Sequence, residues 1–182
     1  MVAHNKFNNQ VQKMKKILVA LFLGFTSPAW ATPADDLVRQ GEAALAAKDV
    51  ASALKDFDAA LDADSKNAKA AYDRGRINLV LHRNTNAVAD FTTAVLSDPT
   101  LGVAYSARGE AKIILKDEKG GFADLDAAIV ASPKEPEVYI LRATYLMRKG
   151  NASGARADLI SAKSFATGDM AKMLDAMIAR IQ

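Results

Sequence analysis

Few side chains in this sequence could perform chemistry, and they do not form a recognisable catalytic set. There is no cysteine, which excludes disulfides, zinc–thiolate sites, iron–sulfur clusters and thiol nucleophiles. Beyond residue 31 there is one histidine, His82, in a predicted turn between helices, and one histidine cannot hold a metal. No serine lies in a G-x-S-x-G turn, and no phosphate-binding or dinucleotide-binding motif occurs. The sequence therefore predicts a protein that is not an enzyme and that uses no metal or other cofactor.

The positive charge of the chain is concentrated at its N-terminus. The formal net charge is +3, and residues 1–31 contain four lysines and no acid, which leaves −1 for the rest. A surface that binds DNA or RNA needs concentrated positive charge. We therefore predict no nucleic-acid partner.

The N-terminal segment has the pattern of a bacterial secretory signal peptide. Two lysines precede a nine-residue apolar run, 17–25, and a small-x-small site ends at Ala31. That run is far shorter than the roughly 20 residues that span a bilayer, so cleavage after Ala31 is favoured over an uncleaved anchor. The expected location is the periplasm or outside the cell, with membrane contact only through the transient signal. Translation starts at Met1 or Met14.

The sequence beyond residue 31 repeats at a constant interval. Gly41, Gly75 and Gly109 are equally spaced, and Ala143 stands at the next step. Other columns hold small residues, phenylalanine or leucine, aspartate, and proline. The structural positions singled out in these columns are Ala53, Ala87 and Ala155, Phe57 and Phe91, and Pro99 and Pro133.

Each repeat predicts two helices joined by a short turn. Small residues allow two helices to approach closely, and the phenylalanine or leucine fills the space that they leave. Proline stops the second helix and starts the next unit. The predicted helices are 34–47 and 50–63, 68–81 and 85–97, 102–115 and 119–131, and 136–149 and 152–165.

This pattern resembles the tetratricopeptide repeat, a unit of about 34 residues whose motif reads W-x-x-L-G-x-x-Y, then A-x-x-x-F and a late proline. The best copy has Arg74-Gly75, then Ala87 and Phe91, then Pro99. The resemblance implies one all-α domain over residues 32–182, a right-handed solenoid of about four helix pairs. The repeats are expected near 34–67, 68–101, 102–135 and 136–169, followed by a capping helix near 169–182.

Arginine stands where the motif has leucine, and each arginine precedes an aspartate by the same separation along the chain. The pairs are Arg74 and Asp90, Arg108 and Asp124, and Arg142 and Asp158, while the first repeat has Gln40 and Asp56. Because a partly buried arginine needs a carboxylate partner, we predict a ladder of ion pairs. The alternative is a row of arginines that binds anions.

The last segment carries apolar residues at helical spacing. They are Met170, Met173, Leu174, Met177, Ile178 and Ile181. A solenoid needs a final helix to cover its last apolar face, so we predict a cap. Alternatively, the three methionines form an adaptable docking surface.

Stacked helix pairs curve, and the first helix of each pair lines the concave side. In the resembled family this groove binds extended or helical peptides. The predicted partner-binding residues are Asp35, Val38, Glu42, Lys69, Tyr72, Arg76, Leu79, Ser106, Glu110, Ile113, Ile140, Thr144 and Met147. Tyr72 and Arg76 are the strongest candidate anchors, because aromatic residues and arginine dominate interface energies.

A basic clamp for a peptide's terminal carboxylate, known in chaperone-binding members of the family, is not expected here. Val38, Glu42, Asp73 and Ala107 stand at the corresponding places. The sequence predicts a non-enzymatic scaffold or adaptor that binds a protein or peptide of unknown identity in its groove. The alternative is a structural or assembly protein that self-associates through its methionine-rich last helix.

Overall fold

The computed structural model describes residues 32–181. The predicted signal peptide, its cleavage site after Ala31 and the two possible start residues lie outside this range. Within it the backbone forms nine α-helices and no strands. The helices are α1 (Pro33–Ala46), α2 (Val50–Ala63), α3 (Ala68–Val80), α4 (Asn84–Ser97), α5 (Gly102–Ile114), α6 (Glu118–Ala131), α7 (Pro136–Arg148), α8 (Ala152–Phe165) and α9 (Gly168–Ala179).

The helices pack in sequential pairs, which confirms the predicted all-α solenoid. The pairs are α1 with α2, α3 with α4, α5 with α6, and α7 with α8. Each second helix also contacts the first helix of the next pair, and α5 contacts both α3 and α7. The first helices therefore form one continuous face, which is the face predicted to bind a partner.

The turns inside the four pairs share one backbone conformation. Lys48, His82, Lys116 and Gly150 stand at the same position of successive repeats, and all have positive φ, at 61, 57, 72 and 76°. This left-handed region is favourable for glycine and costly for other residues. His82 thus lies in a turn, as predicted. In three of the turns an aspartate or asparagine then caps the second helix by accepting a backbone hydrogen bond.

The glycine column allows the close helix contacts that the sequence predicts. A Cβ atom added to Gly75 would lie 2.7 Å from Cε1 of Phe91, and one added to Gly41 would lie equally close to Phe57. Phe57 and Phe91 are fully buried, as are the alanines at 53, 87 and 155. Bulk on the second helix therefore fills the space that the first helix leaves open. Pro99 and Pro133 each follow the end of a second helix, at Ser97 and Ala131.

The predicted arginine–aspartate ladder is present in three repeats. Arg74, Arg108 and Arg142 form ion pairs with Asp90, Asp124 and Asp158. The first repeat differs, because the Gln40 side chain donates to the backbone carbonyl of Asp36 at 3.3 Å instead of contacting Asp56. The arginine charges are compensated by carboxylates, which favours the structural ladder over an anion-binding row.

Helix α9 packs on α8 and extends the last core cluster. Leu174 and Ile181 are buried in that cluster, and Met170, Met177 and Ile178 pack against it partly buried. Met173 is the most exposed of the three methionines of α9, with 47% of its surface accessible. Most of the apolar face of α9 is thus used within the chain. No helix between residues 32 and 181 has the length and apolar character needed to cross a membrane.

Candidate functional site

The face formed by the first helices carries a cavity of about 270 Å³ between α3, α5 and α7. Five of the predicted partner-binding residues meet there: Tyr72, Arg76, Leu79, Ser106 and Glu110. The lining also includes Val80, Val103, Ala107 and Leu141. The cavity therefore combines an aromatic ring, both signs of charge and apolar walls.

Tyr72 is held in this cavity by contacts on two sides. Its ring lies 6.0 Å from that of buried Phe91, centroid to centroid, and the rings are tilted by 46°. The Arg76 guanidinium carbon lies 5.7 Å from the Tyr72 ring centroid, within the range of a cation–π contact. Burial raises the pKa of the Tyr72 hydroxyl, and the positive charge of Arg76 opposes that rise. The hydroxyl is therefore a protonated donor at neutral pH.

A chain of alternating charges runs from α1 along α3 to the cavity. Lys69 Nζ lies 2.5 Å from Glu42 Oε1 and 3.4 Å from Asp73 Oδ2, and Arg76 Nη1 lies 3.3 Å from Asp73 Oδ1. The hydrogen bond to Glu42 raises the pKa of Lys69, and the charge of Asp73 adds to the rise. Arg76 is thus positioned by the buried carboxylate of Asp73.

The pKa of the Tyr145 hydroxyl on α7 depends partly on the charge of Glu110 on α5. Burial raises the pKa of the Tyr145 hydroxyl, and the negative charge of Glu110 raises it further. The Arg148 guanidinium carbon lies 5.8 Å from the centroid of the same ring. Acidic and basic side chains therefore both border the face of the first helices.

Three of the predicted partner-binding residues are engaged within the chain and do not line the first cavity. Val38 is 4% exposed and belongs to the core cluster around Phe57, because its short side chain ends below the surface that Tyr72 reaches one repeat later. Asp35 is engaged in a capping box with Thr32 at the start of α1. Ile113 is turned toward α6, where the missing side chain of Gly121 leaves room for it. A role of these residues in partner binding stays a prediction.

The three predicted residues of α7 also lie outside the first cavity. Ile140 packs partly buried against the last core cluster. Thr144 and Met147 line a second cavity, which includes residues of α8 and α9. Leu141 is the residue through which α7 reaches the first cavity.

The predicted partner-binding residues leave out one column of the repeat. Asp73, Ala107 and Leu141 occupy the same position of successive repeats and directly follow the predicted positions 72, 106 and 140. Two of them line the first cavity, and Asp73 holds Arg76. The sequence does indicate this column, because position 73 is four residues after 69 and three before 76. The three positions therefore share one helix face.

The groups of the first cavity are suited to binding a second protein. Over residues 32–181, no group of three or more His, Asp or Glu side chains is placed to hold a metal ion. The cavity offers a tyrosine hydroxyl, a guanidinium and a carboxylate beside apolar walls. These groups can anchor side chains and main-chain amides of a second protein.

Comparisons with known proteins agree with this geometry. Residues 38–101 match a family model described as tetratricopeptide repeat. A comparison of the sequence with curated proteins found no match.

Several solved structures share the fold. MamA from Desulfovibrio magneticus RS-1 is 20% identical, with a TM-score of 0.64 over 72% of this chain and 75% of that one. A thermophilic TPR protein of Thermus thermophilus is 22% identical, with a TM-score of 0.63 over 72% and 74%. The first TPR of Spaghetti (RPAP3), bound to the HSP90 peptide SRMEEVD, is 23% identical, with a TM-score of 0.56 over 64% and 88%. At these identities the likeness is one of fold.

Proposed function

We propose that this chain, which belongs to the tetratricopeptide repeat family, is a non-enzymatic scaffold or adaptor that binds a segment of a partner protein. The binding site is the cavity between α3, α5 and α7. A repeat protein of stacked helix pairs presents such a continuous face to its partners. The fold is shared with proteins that bind peptides, among them the TPR of Spaghetti that holds an HSP90 peptide.

The observation that carries this proposal is the environment of Tyr72 and Arg76. Both side chains border open space, and both are fixed from behind, Tyr72 by Phe91 and Arg76 by Asp73. Anchors that are already ordered lose less conformational entropy when a partner binds. Glu110 on α5 supplies an acceptor within the same cavity.

The charges of this face argue against a clamp for a terminal carboxylate at this position. Lys69 is engaged by Glu42 and Asp73, so its positive charge is compensated. Val38 is buried and Ala107 carries no charge. The partner segment is therefore expected to be held by its side chains in this cavity rather than by its end.

Site-specific photo-crosslinking tests the proposal. A benzoylphenylalanine introduced in place of Ser106 lies in the cavity, and one in place of exposed Ala123 on α6 is the matched control. We expect crosslinks to a defined partner from position 106 and not from 123. The Tyr72→Ala, Arg76→Glu double variant should abolish them while circular dichroism stays unchanged.

Crosslinks of equal yield from both positions would reject the cavity as the binding site. The same conclusion would follow if the double variant still captured the partner. Once a partner is captured, its crosslinked peptide defines the segment, and a synthetic copy of that segment should bind wild type in preference to the variant.

We further propose that the protein is exported to the bacterial periplasm. The support is the sequence of residues 1–31, with its lysines, its apolar run and the small-x-small site at Ala31. N-terminal sequencing of the protein from a periplasmic fraction should begin at Thr32. Recovery from the cytoplasm with Met1 or Met14 as first residue would contradict the proposal.

Self-association is the alternative function, and it depends on α9. Met173 is the methionine best placed for it, since Met170 and Met177 pack partly buried against the last core cluster. Sedimentation velocity over a range of micromolar concentrations distinguishes the two functions. A concentration-dependent dimer that Met173→Ser abolishes would favour self-association, and a monomer throughout would exclude it.

A further inference from the structure

A second cavity, of about 350 Å³, lies at the other side of α7. Its lining is largely apolar and comes from α7, α8, α9 and the residues that follow α9: Ala143, Thr144, Met147, Leu159, Met177 and Ile181. The hydroxyl of Thr144 already donates to the backbone carbonyl of Ile140 at 2.8 Å. The proton of this hydroxyl is therefore not available to a ligand, and the walls favour an apolar group.

Two arginines border the same cavity, Arg148 and Arg180, and both are exposed. Neither forms an ion pair with any residue of the described part of the chain, in contrast to the arginines of the ladder. Arg148 only stacks over the ring of Tyr145. No acidic residue is among those that line the cavity. The site thus joins apolar walls to positive charge that no described residue compensates.

We propose that this cavity receives a large apolar side chain of an acidic peptide segment, whose neighbouring carboxylates pair with Arg148 and Arg180. The complementary charge is what selects an acidic segment. The inference rests on the proposed function, because the same partner segment would occupy both cavities. The two cavities lie on either side of α7. Leu141 lines the first and Thr144 the second, so one bound segment can reach both.

Three fluorescein-labelled peptides with blocked ends test this chemistry by fluorescence anisotropy. SEELLEES carries carboxylates and leucines, SKKLLKKS reverses the charge, and SEEAAEES removes the large apolar groups. We expect SEELLEES to bind about tenfold or more tightly than either of the others, since each of them lacks one half of the recognition. Equal binding of all three peptides would overturn the proposal.

Charge reversal locates the binding. The Arg148→Glu, Arg180→Glu variant should weaken SEELLEES binding by about tenfold or more, because two attractive contacts become repulsive. The matched control is Arg83→Glu, Lys134→Glu, which changes the net charge equally at two exposed positions away from the cavity. The control should bind like wild type. Equal weakening in both variants would mean a general charge effect and would overturn the proposal.

Methyl NMR gives a readout that does not depend on a variant. With 13C-labelled methionine methyls, SEELLEES should shift the signals of Met147 and Met177, which line the cavity, and leave that of exposed Met173 unchanged. A shift of Met173 alone would overturn the proposal. So would a dimer that Arg148→Glu, Arg180→Glu abolishes and that SEELLEES does not compete, since a second copy would then fill the site.

These outcomes are separate from those of the crosslinking experiment. Failure of position 106 to capture a partner would reject the first cavity, whereas SEELLEES binding reports on the second. The Tyr72→Ala, Arg76→Glu variant should retain SEELLEES binding, because neither residue lines the second cavity. Loss of SEELLEES binding in that variant would place the peptide in the first cavity and overturn the inference.

Discussion

Arg74 on α3 donates from Nε to both carboxylate oxygens of Asp90 on α4, at 3.1 and 3.2 Å. The same guanidinium donates from Nη1 to Asp58 on α2, in the preceding repeat, at 2.7 Å. Asp90 and Asp58 are equally far from Arg74 along the sequence, one on either side of it. One arginine therefore joins three helices, both within its own pair and between neighbouring pairs.

Replacement of Arg74 by methionine should destabilise the protein by roughly 3 kcal/mol, because it leaves a buried carboxylate without its charged partner. Asp90 is 5% exposed, and only the amide of Asn78 still donates to it, at 2.8 Å. Urea unfolding measures the loss. Arg83→Met is the control, since Arg83 is exposed. Equal effects of the two substitutions would show that the ion pair of Arg74 and Asp90 does not contribute to the free energy of unfolding.

The ladder has one incomplete connection, which predicts a stabilising substitution. Arg142 donates to Asp126 of the preceding repeat at 2.6 Å, but Arg108 has only the hydroxyl of Thr92 at the equivalent place, at 3.4 Å. Thr92→Asp should stabilise the protein by about 0.5 kcal/mol, a typical value for an exposed ion pair. The gain should shrink in high salt.

Thr93→Asp is a matched control for that substitution. Like Thr92, Thr93 donates its hydroxyl to the carbonyl four residues earlier, and no arginine faces it in the described structure. A thermal melt in which both variants gain or lose equally would assign the effect to helix propensity and not to Arg108.

The sequence predicts the helices closely because the repeat supplies four copies of each boundary. In the four pairs, every predicted end agrees with the structure to within one residue. The last helix has no second copy, and it ends at Ala179 rather than at 182. The ladder could also be predicted from the sequence, since the same separation between arginine and aspartate recurs in three repeats. A partly buried arginine needs a carboxylate partner.

The groove was harder to predict because one residue per turn does not define a face. Side-chain length decides whether a position is surface, as buried Val38 and half-buried Tyr72 show at equivalent places. The size of the opposite residue also matters, since Gly121 draws Ile113 into the helix pair. Neither effect can be read from spacing alone, because both depend on what the neighbouring helix leaves open.

Both repeats with phenylalanine have glycine opposite it, and alanine occurs only opposite leucine, which predicts a rescue. Glycine faces phenylalanine in the pairs of Gly41 and Gly75, Gly109 faces Leu125 in the third pair, and Ala143 and Leu159 stand at these positions in the last repeat. Gly75→Ala should destabilise the protein by about 1–3 kcal/mol, because its Cβ would overlap the Phe91 ring. Adding Phe91→Leu should recover part of this loss.

Denaturant titration of the single and double variants measures that coupling. Phe91→Leu alone should also destabilise, because the smaller side chain leaves a cavity beside Gly75. If the two losses simply add in the double variant, the close contact between residues 75 and 91 is not what limits the side chain at either position.

Glycine should have opposite effects on stability at a lysine in a turn and at a lysine inside a helix. Lys116 has a φ of 72° in the turn before α6, so Lys116→Gly should stabilise the protein by about 1 kcal/mol through relief of the left-handed strain. Lys55 lies in the interior of α2, where glycine should cost about 1 kcal/mol. Thermal unfolding compares the two variants. A destabilisation by Lys116→Gly as large as that by Lys55→Gly would contradict this interpretation.

Acid should weaken the start of α2 through its capping aspartate. Asp49 accepts hydrogen bonds from the backbone N–H and the hydroxyl of Ser52, at 3.0 and 2.6 Å, and these bonds lower the pKa of its carboxyl. Because the folded pKa lies below the unfolded one, the charged cap stabilises the protein above the unfolded pKa. This stability is lost as the pH falls through the folded pKa, which lies below the ordinary pKa of an aspartate. Asn also caps helices but does not titrate. The melting temperature of Asp49→Asn should therefore fall less than that of wild type between neutral pH and this acidic range. Identical pH profiles of the two proteins would show that Asp49 is not a source of the acid sensitivity.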